Sequence, residues 1–187
     1  MAIKGFFITG TDTDVGKTLV AGAVALQLRS QYSRVAAYKP VVAGLSLSDG
    51  KWQNDDLLAL AQTCTFDISM NEMCPYQLRT PAAPHLVARQ ENIELSYPRM
   101  LLAFQELAAR SDAIVVEGVG GVVVGLRVVG TEVAGGAETR LNRVPRLPAQ
   151  AGITRKSAVL FSCPAQPGAA GRCTTRSMNR DTAVNRL

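Results

Sequence analysis

"GTDTDVGKT" occupies residues 10–18, and its reading decides the fold. A phosphate-binding turn of the usual form runs glycine, four residues, glycine, lysine, then serine or threonine. Here Thr11 stands where the shorter pattern needs glycine, so five residues separate Gly10 from Gly16. Gly16, Lys17 and Thr18, the chemically necessary part, are intact, and one extra residue only widens the turn. The flanks agree with this reading. "KGFFITG" (residues 4–10) is a short β-favouring apolar run ended by glycine. "LVAGAVALQLRS" (residues 19–30) is rich in helix formers and carries apolar residues on most faces, which predicts a buried helix. A turn between strand and helix aims successive backbone N–H groups at phosphate, and the helix adds the positive end of its dipole. Lys17 then supplies a point charge to the β and γ phosphates, and the Thr18 hydroxyl a ligand for Mg2+. Asp12 and Asp14 would repel a polyphosphate unless a divalent cation lay between them, which again argues for Mg2+.

Beyond the turn, "RVAAYKP" (residues 34–40) predicts a second strand stopped by Pro40, close enough behind the helix for a βαβ crossover. Lys39 ends that strand, so on a doubly wound sheet its ammonium emerges at the same edge as the turn. There it can stabilise an anion or a transferring phosphoryl group; a solvated lysine is the other reading of the same position. "NDDLLALAQ" (residues 54–62) places an Asn or Asp cap before a leucine-rich helix. Asp55 and Asp56 are therefore helix-capping acids or metal ligands. Residues 76–92 are punctuated by proline and read as a loop with at least one helical turn. His85, the only histidine, lies there with no acidic partner in sight and reads as structural. In "YPRMLLAFQELAARS" (residues 97–111), Leu101, Phe104, Leu107 and Ala108 share one face of an amphipathic helix. "DAIVVEGVGG" (residues 112–121) is a continuous apolar run suited to a strand buried on both faces of a parallel sheet. Glu117 at its end points to the ligand edge, where a carboxylate can hold a metal directly or through water.

Composition divides the chain. Its 187 residues fit one domain with a real core. Up to Gly121 there are ten Lys and Arg against twelve Asp and Glu; after it, ten against three. The net charge of +5 thus belongs to the later part alone. Nine of the ten aromatics precede Gly121. We divide the chain into a nucleotide-binding core at 1–121 and a divergent basic tail at 122–187, expected to be poorly ordered because it buries too little apolar area to offset its ordering entropy. Within it, "SAVLFS" (residues 157–162) suits a short strand. Scattered arginines without stacking aromatics do not suit nucleic acid. The four cysteines form no CxxC pair, so free thiols in a reducing cytoplasm are expected rather than a sulfur-bound metal. No apolar run suits a signal peptide or a membrane span.

Five ordered stretches, "GTDTDVGKT" from residue 10, "YKPVVAG" from 38, "NDDLLAL" from 54, "PAAPHLVA" from 81 and "VVEGVGG" from 115, resemble the dethiobiotin synthetases, ATP-dependent enzymes of biotin biosynthesis. The longer turn is that family's own form. The resemblance implies an α/β P-loop NTPase-like three-layer fold with a mainly parallel sheet, the C-terminal part atypical or disordered, and a cytoplasmic homodimer that uses neither nucleic acid nor membrane. It implies a cyclo-ligase reaction: 7,8-diaminononanoate, CO2 and ATP give dethiobiotin, ADP and phosphate through a carbamate and a carbamic-phosphoric anhydride. Such chemistry needs positioning and charge neutralisation more than a strong nucleophile. Lys39 would be the active-site lysine, with Lys17 beside it. Thr18, Asp56 and Glu117 would hold Mg2+, and Asp14 would help through water. Asp14, Val15, Gly16, Lys17, Thr18, Leu19, Asp56, Glu117, Gly118, Val119 and Gly120 would line the nucleotide; Thr13, Lys39 and Ala43 would face the substrate.

The chain departs from that family in two places. Ala43 stands where a serine is frequent, which removes one hydroxyl contact. After Gly121 the segments that receive the substrate carboxylate across a dimer and recognise adenine are not found. The coincident loss of aromatics and gain of arginine resembles translation in a shifted frame of a GC-rich gene. The alternatives to an active ligase are therefore a truncated, catalytically impaired nucleotide-binding remnant and a related P-loop amidoligase. A partitioning ATPase would place a second lysine early in the turn, where this chain reads Thr11, Asp12, Thr13.

Overall fold

The computed structural model describes residues 3–10, 12–120, 158–165 and 174–178, with Ile3 and the last two segments described by their backbone. Strand β1 (Ile3–Gly10) leads through the turn into helix α1 (Lys17–Leu28) and strand β2 (Val35–Tyr38). Then follow β3 (Val41–Ala43), β4 (Ser46–Ser48), β5 (Lys51–Gln53), α2 (Asp55–Ala61), α3 (Met70–Met73), β6 (Tyr76–Leu78), α4 (Pro84–Gln90), α5 (Tyr97–Ala109) and β7 (Ala113–Glu117). The later part of the chain contributes β8 (Ala158–Ala165) and β9 (Thr174–Met178).

The main sheet has the order β2-β7-β1-β8-β9. β7 lies parallel to both β1 and β2, whereas β8 runs antiparallel to β1 and β9 antiparallel to β8. Strand periodicity divides β2 and β7 between two cores. Val35, Ala37, Ala113 and Val115 pack with Val20, Ala21, Ala25 and Leu28 of α1. Ala36, Tyr38, Ile114 and Val116 pack with Leu107, Phe104 and Ala108 of α5. Helix, sheet and helix thus form three layers, and both faces of β7 are covered, as its continuous apolar run requires. β3 and β6 form a small parallel sheet with its own core of Val41, Tyr76, Leu78, Val87 and Met100. β4 and β5 form a hairpin around Asp49 and Gly50, both at positive φ, the backbone a two-residue hairpin turn demands.

Two expectations need adjustment. α1 is buried along one stripe, while Leu19 and Leu26 are exposed, so its apolar residues do not signify burial all round. Ala158 to Ser162 of "SAVLFS" are part of a longer strand, β8, that continues through Pro164. The expected disorder of the tail otherwise concerns residues outside the described ones. Cys64 and Cys74 are free thiols, Cys74 buried with its pKa pushed up to about 12 by burial. Among the described residues, no helix is long and apolar enough to cross a membrane.

Candidate nucleotide and cation site

Parallel pairing sets the site. Lys4 to Ile8 of β1 face Ala113 to Glu117 of β7 in register, so the C-terminal ends of the two strands share one edge. From that edge β1 continues into the phosphate turn. Gly10 must be glycine because an added Cβ would lie 2.5 Å from Val15 Cγ2, and Val15 is buried under the turn. Gly16, the N-cap of α1, has φ 87, a left-handed conformation that costs a side-chain-bearing residue. No side chain caps this helix start among the described residues, and helix N-termini of this kind are suited to meet an anion. Asp14 adopts φ 55 and is exposed.

Four side chains meet beneath the turn. Thr18 Oγ1 donates to Glu117 Oε1 at 2.9 Å. Lys39 Nζ donates to the same oxygen at 2.8 Å and to Asp56 Oδ2 at 2.6 Å. Glu117 is 1% exposed and Lys39 4%, so this is a buried ion pair with a half-exposed third member, Asp56. The fold holds each group from behind. The Lys39 backbone N–H donates to Met73 O at 3.0 Å, and the Gly118 N–H to Ile8 O at 2.8 Å. Asn54 caps α2, accepting from the Leu57 N–H, and its amide donates to Gly44 O at 2.9 Å, which fixes Asp56 in the first turn. Lys17 lies slightly apart, its Nζ donating to Asp12 O at 2.7 Å across the turn.

Burial holds the Lys17 ammonium below its ordinary pKa, against the attraction of Glu117. At Lys39 burial acts in the same direction, but the Glu117 charge and the hydrogen bonds to Asp56 and Glu117 outweigh it and hold this ammonium above its ordinary range. Burial pushes the Glu117 carboxyl upward, opposed by Lys39. Glu117 Oε2 is buried and has no hydrogen-bond partner among the described residues. A buried carboxylate oxygen left open beside a threonine hydroxyl and a second carboxylate is the donor chemistry of a Mg2+ site, so these residues fit that ion. Among the described residues no three His, Cys, Asp or Glu side chains converge. Two carboxylates and a hydroxyl fall short of a cage, leaving places for phosphate and water, the usual arrangement for Mg2+.

The structure thus brings Thr18, Lys39, Asp56 and Glu117 together, with Lys17, Gly16, Val15 and Asp14 in the turn above. Gly118, Val119 and Gly120 continue from β7 at the same edge, Val119 packing against the small core and Gly120 at positive φ. Thr13 is exposed, its N–H donating to Asp12 Oδ1 at 2.8 Å, and Ala43 is half-buried at the end of β3. Leu19 is exposed on α1. Sequence reasoning missed that Asp12 serves the turn, through its carbonyl to Lys17 and its carboxylate to Thr13. It also missed α3, although Ser69 and Glu72 form a capping box whose spacing was readable. α3 matters because Met73 O holds Lys39. An open groove of about 450 Å³ between α3 and α5, lined by Asn71, Glu72, Arg99 and Arg110 among others, contains none of the site residues.

A strand, a glycine-hinged turn with lysine and threonine opening a helix, and a carboxylate on the neighbouring parallel strand define a P-loop nucleotide-binding protein. The family described as "AAA domain" matches residues 4–134, and the chain belongs to it. It is similar to proteins named ATP-dependent dethiobiotin synthetase BioD. The one from Aromatoleum aromaticum is 40% identical over 118 residues, 63% of this chain and 52% of that relative. Those from Vibrio parahaemolyticus and Aliivibrio salmonicida are 38% and 41% identical over 119 residues, 64% of this chain and 52% of each relative. The chain spans about half the length of the curated relatives it matches.

Proposed function

We propose that this chain carries out, with ATP and Mg2+, the carboxylation and ring closure of 7,8-diaminononanoate with CO2 to dethiobiotin. The observation that carries this reading is the hydrogen-bonded cluster of Thr18, Lys39, Asp56 and Glu117, with Lys39 and Glu117 buried, at the edge from which the phosphate turn springs. One amine of the substrate adds to CO2 and loses a proton, giving a carbamate. A carbamate oxygen attacks the γ-phosphorus of ATP and ADP leaves. The second amine attacks the carbonyl carbon of the resulting anhydride, closing the ring, and phosphate leaves. The carbamate, the mixed anhydride and the nucleotide phosphates are anionic, and the amines attack in their neutral form, so the work asked of the protein is charge neutralisation and alignment.

Lys17 and the N–H groups at the start of α1 bind the β and γ phosphates. Thr18, Asp56 and Glu117 would hold Mg2+, with Asp14 helping through water, and the ion would supply neutralisation of phosphate charge. Lys39 meets the carbamate and the transferring phosphoryl oxygens. Thr13 and Ala43 lie on the substrate side, and Val15, Leu19, Gly118, Val119 and Gly120 line the nucleotide. The working form is a cytoplasmic homodimer with small-molecule substrates.

A second reading rests on the change of composition after Gly121, where ten Lys and Arg stand against three Asp and Glu with a single aromatic: a nucleotide-binding remnant that binds ATP without synthesis. In the same reading, the sequence after Gly121 is the product of a shifted frame, which the coding DNA read in all three frames tests. ADP release that requires both diaminononanoate and bicarbonate supports the ligase, and ATP binding without turnover supports the remnant. For Lys39→Ala we expect retained ATP binding with lost synthesis; equal loss of binding would assign Lys39 to the nucleotide instead of the carbamate.

A further inference from the structure

Lys39 stands in an unexpected place for a group that is to meet substrate. Its ammonium is buried and already bound on two sides, at 2.6 Å from Asp56 and 2.8 Å from Glu117. Those carboxylates are the ones whose chemistry suits a divalent cation. Glu117 Oε1 is shared between Lys39 and Thr18, while Oε2 is buried with no hydrogen-bond partner among the described residues. Two carboxylates and one ammonium leave the cluster a single net negative charge; without the ammonium it would carry two. A buried carboxylate such as Glu117, with half-exposed Asp56 beside it, is costly without a counter-charge; Lys39, in contact with both, supplies it, and Lys17 adds a more distant attraction. An ammonium and a divalent ion that answer to the same two carboxylates also repel each other, so their occupancies are opposed.

We propose that Lys39 is the resident counter-cation of the Asp56–Glu117 pair in the metal-free chain and gives up that place when a divalent cation is bound. The lysine is then both a lock and a reagent. Held by the carboxylates, it keeps Glu117 paired and weakens cation binding in the absence of nucleotide. Released, its ammonium is free to turn toward an anionic substrate at the same edge, so its availability follows loading of the site. This rests on the cation role proposed above for Thr18, Asp56 and Glu117.

The test leaves nucleotide and diamine out and uses Mn2+ alone, followed by electron paramagnetic resonance and by thermal unfolding. Wild type is compared with Lys39→Met, Lys39→Gln and Lys39→Arg. Lys39→Gln keeps a hydrogen-bond donor for Glu117 without charge and serves where Lys39→Met fails to fold. We expect the two neutral variants to bind Mn2+ at least about tenfold more tightly than wild type, since a like charge beside the ion is removed. Their unfolding temperatures should rise with Mn2+ while that of wild type stays nearly constant, and Lys39→Arg should behave as wild type. Adding Glu117→Gln to Lys39→Gln should abolish the gain. Equal or tighter Mn2+ binding by wild type, or a gain that survives Glu117→Gln, overturns the proposal. The nucleotide reading fails separately: wild type without Mg2+-dependent ATP affinity would remove it even where the neutral variants gain Mn2+.

Discussion

The two flanks of β1 differ in direction, length and use. On one side β7 pairs in parallel through five residues, ending at Ile8 against Glu117. On the other, β8 pairs antiparallel through eight, from Ile3 against Ala165 to Gly10 against Ala158. The shorter ladder leads to the candidate site. Parallel strands end at the same edge, so the end of β7 delivers a carboxylate to the root of the phosphate turn, and β2, parallel to β7, brings Lys39 to the same edge. An antiparallel partner ends at the opposite edge. The longer ladder contributes backbone hydrogen bonds to β1, while the hydrogen-bonded side chains of the candidate site are those of Lys17, Thr18, Lys39, Asp56 and Glu117. The placement of the candidate site's side chains therefore follows strand direction rather than extent of pairing.

That contrast can be broken most sharply at the turn. Lys17→Ala should abolish nucleotide-dependent ADP release, a loss of at least about a hundredfold expected when a positioned charge on phosphate is removed, with the circular dichroism spectrum unchanged. Unchanged turnover would remove the phosphate turn from the account. Glu117→Ala strikes the parallel flank where it is most buried. Leaving Lys39 without its buried partner should lower stability by about 3 kcal/mol in urea unfolding, together with loss of Mg2+-dependent ATP binding. A stability change within error would mean that Lys39 and Glu117 are not paired in solution.

The antiparallel flank should respond differently. Leu160 lies opposite Ile8 on one side and Arg176 on the other, so its N–H faces a ladder either way. Leu160→Pro should cost about 1–3 kcal/mol through the lost hydrogen bond and the ring's poor fit in an inner strand. ATP affinity per folded molecule should change by less than about threefold, since no charge at the site is altered; a tenfold loss would show that β8 shapes the site. Asn54→Ala sharpens the comparison least, removing the cap of α2 at a cost of about 1 kcal/mol. It should lower the melting temperature slightly and weaken Mg2+ dependence through Asp56, which calorimetry at varied Mg2+ would register.

Much of the parallel half was legible because its signals are local. Gly10, Gly16, Lys17 and Thr18 announce a turn between strand and helix, Asn54 announces the start of α2, and the run from Ala113 to Glu117 announces a strand covered on both faces. The short strands β3 to β6 were not legible, since three residues cannot display a period and their stability comes from tertiary packing such as Val41 against Tyr76. The antiparallel placement of β8 was hidden for another reason. A strand's apolar run says that it is buried, not which neighbour it meets or in which direction. Within the site, Lys39 and Glu117 could be placed at one edge from sequence, but their direct pairing depends on register between β2 and β7, which only the fold supplies.

The most direct test of the central claim is calorimetric titration of the folded chain with ATP, with and without Mg2+. Saturable binding that strengthens at least about tenfold when Mg2+ is present is expected, through Thr18, Asp56 and Glu117. A folded chain that binds ATP equally well without Mg2+, or does not bind it at all, would contradict that claim.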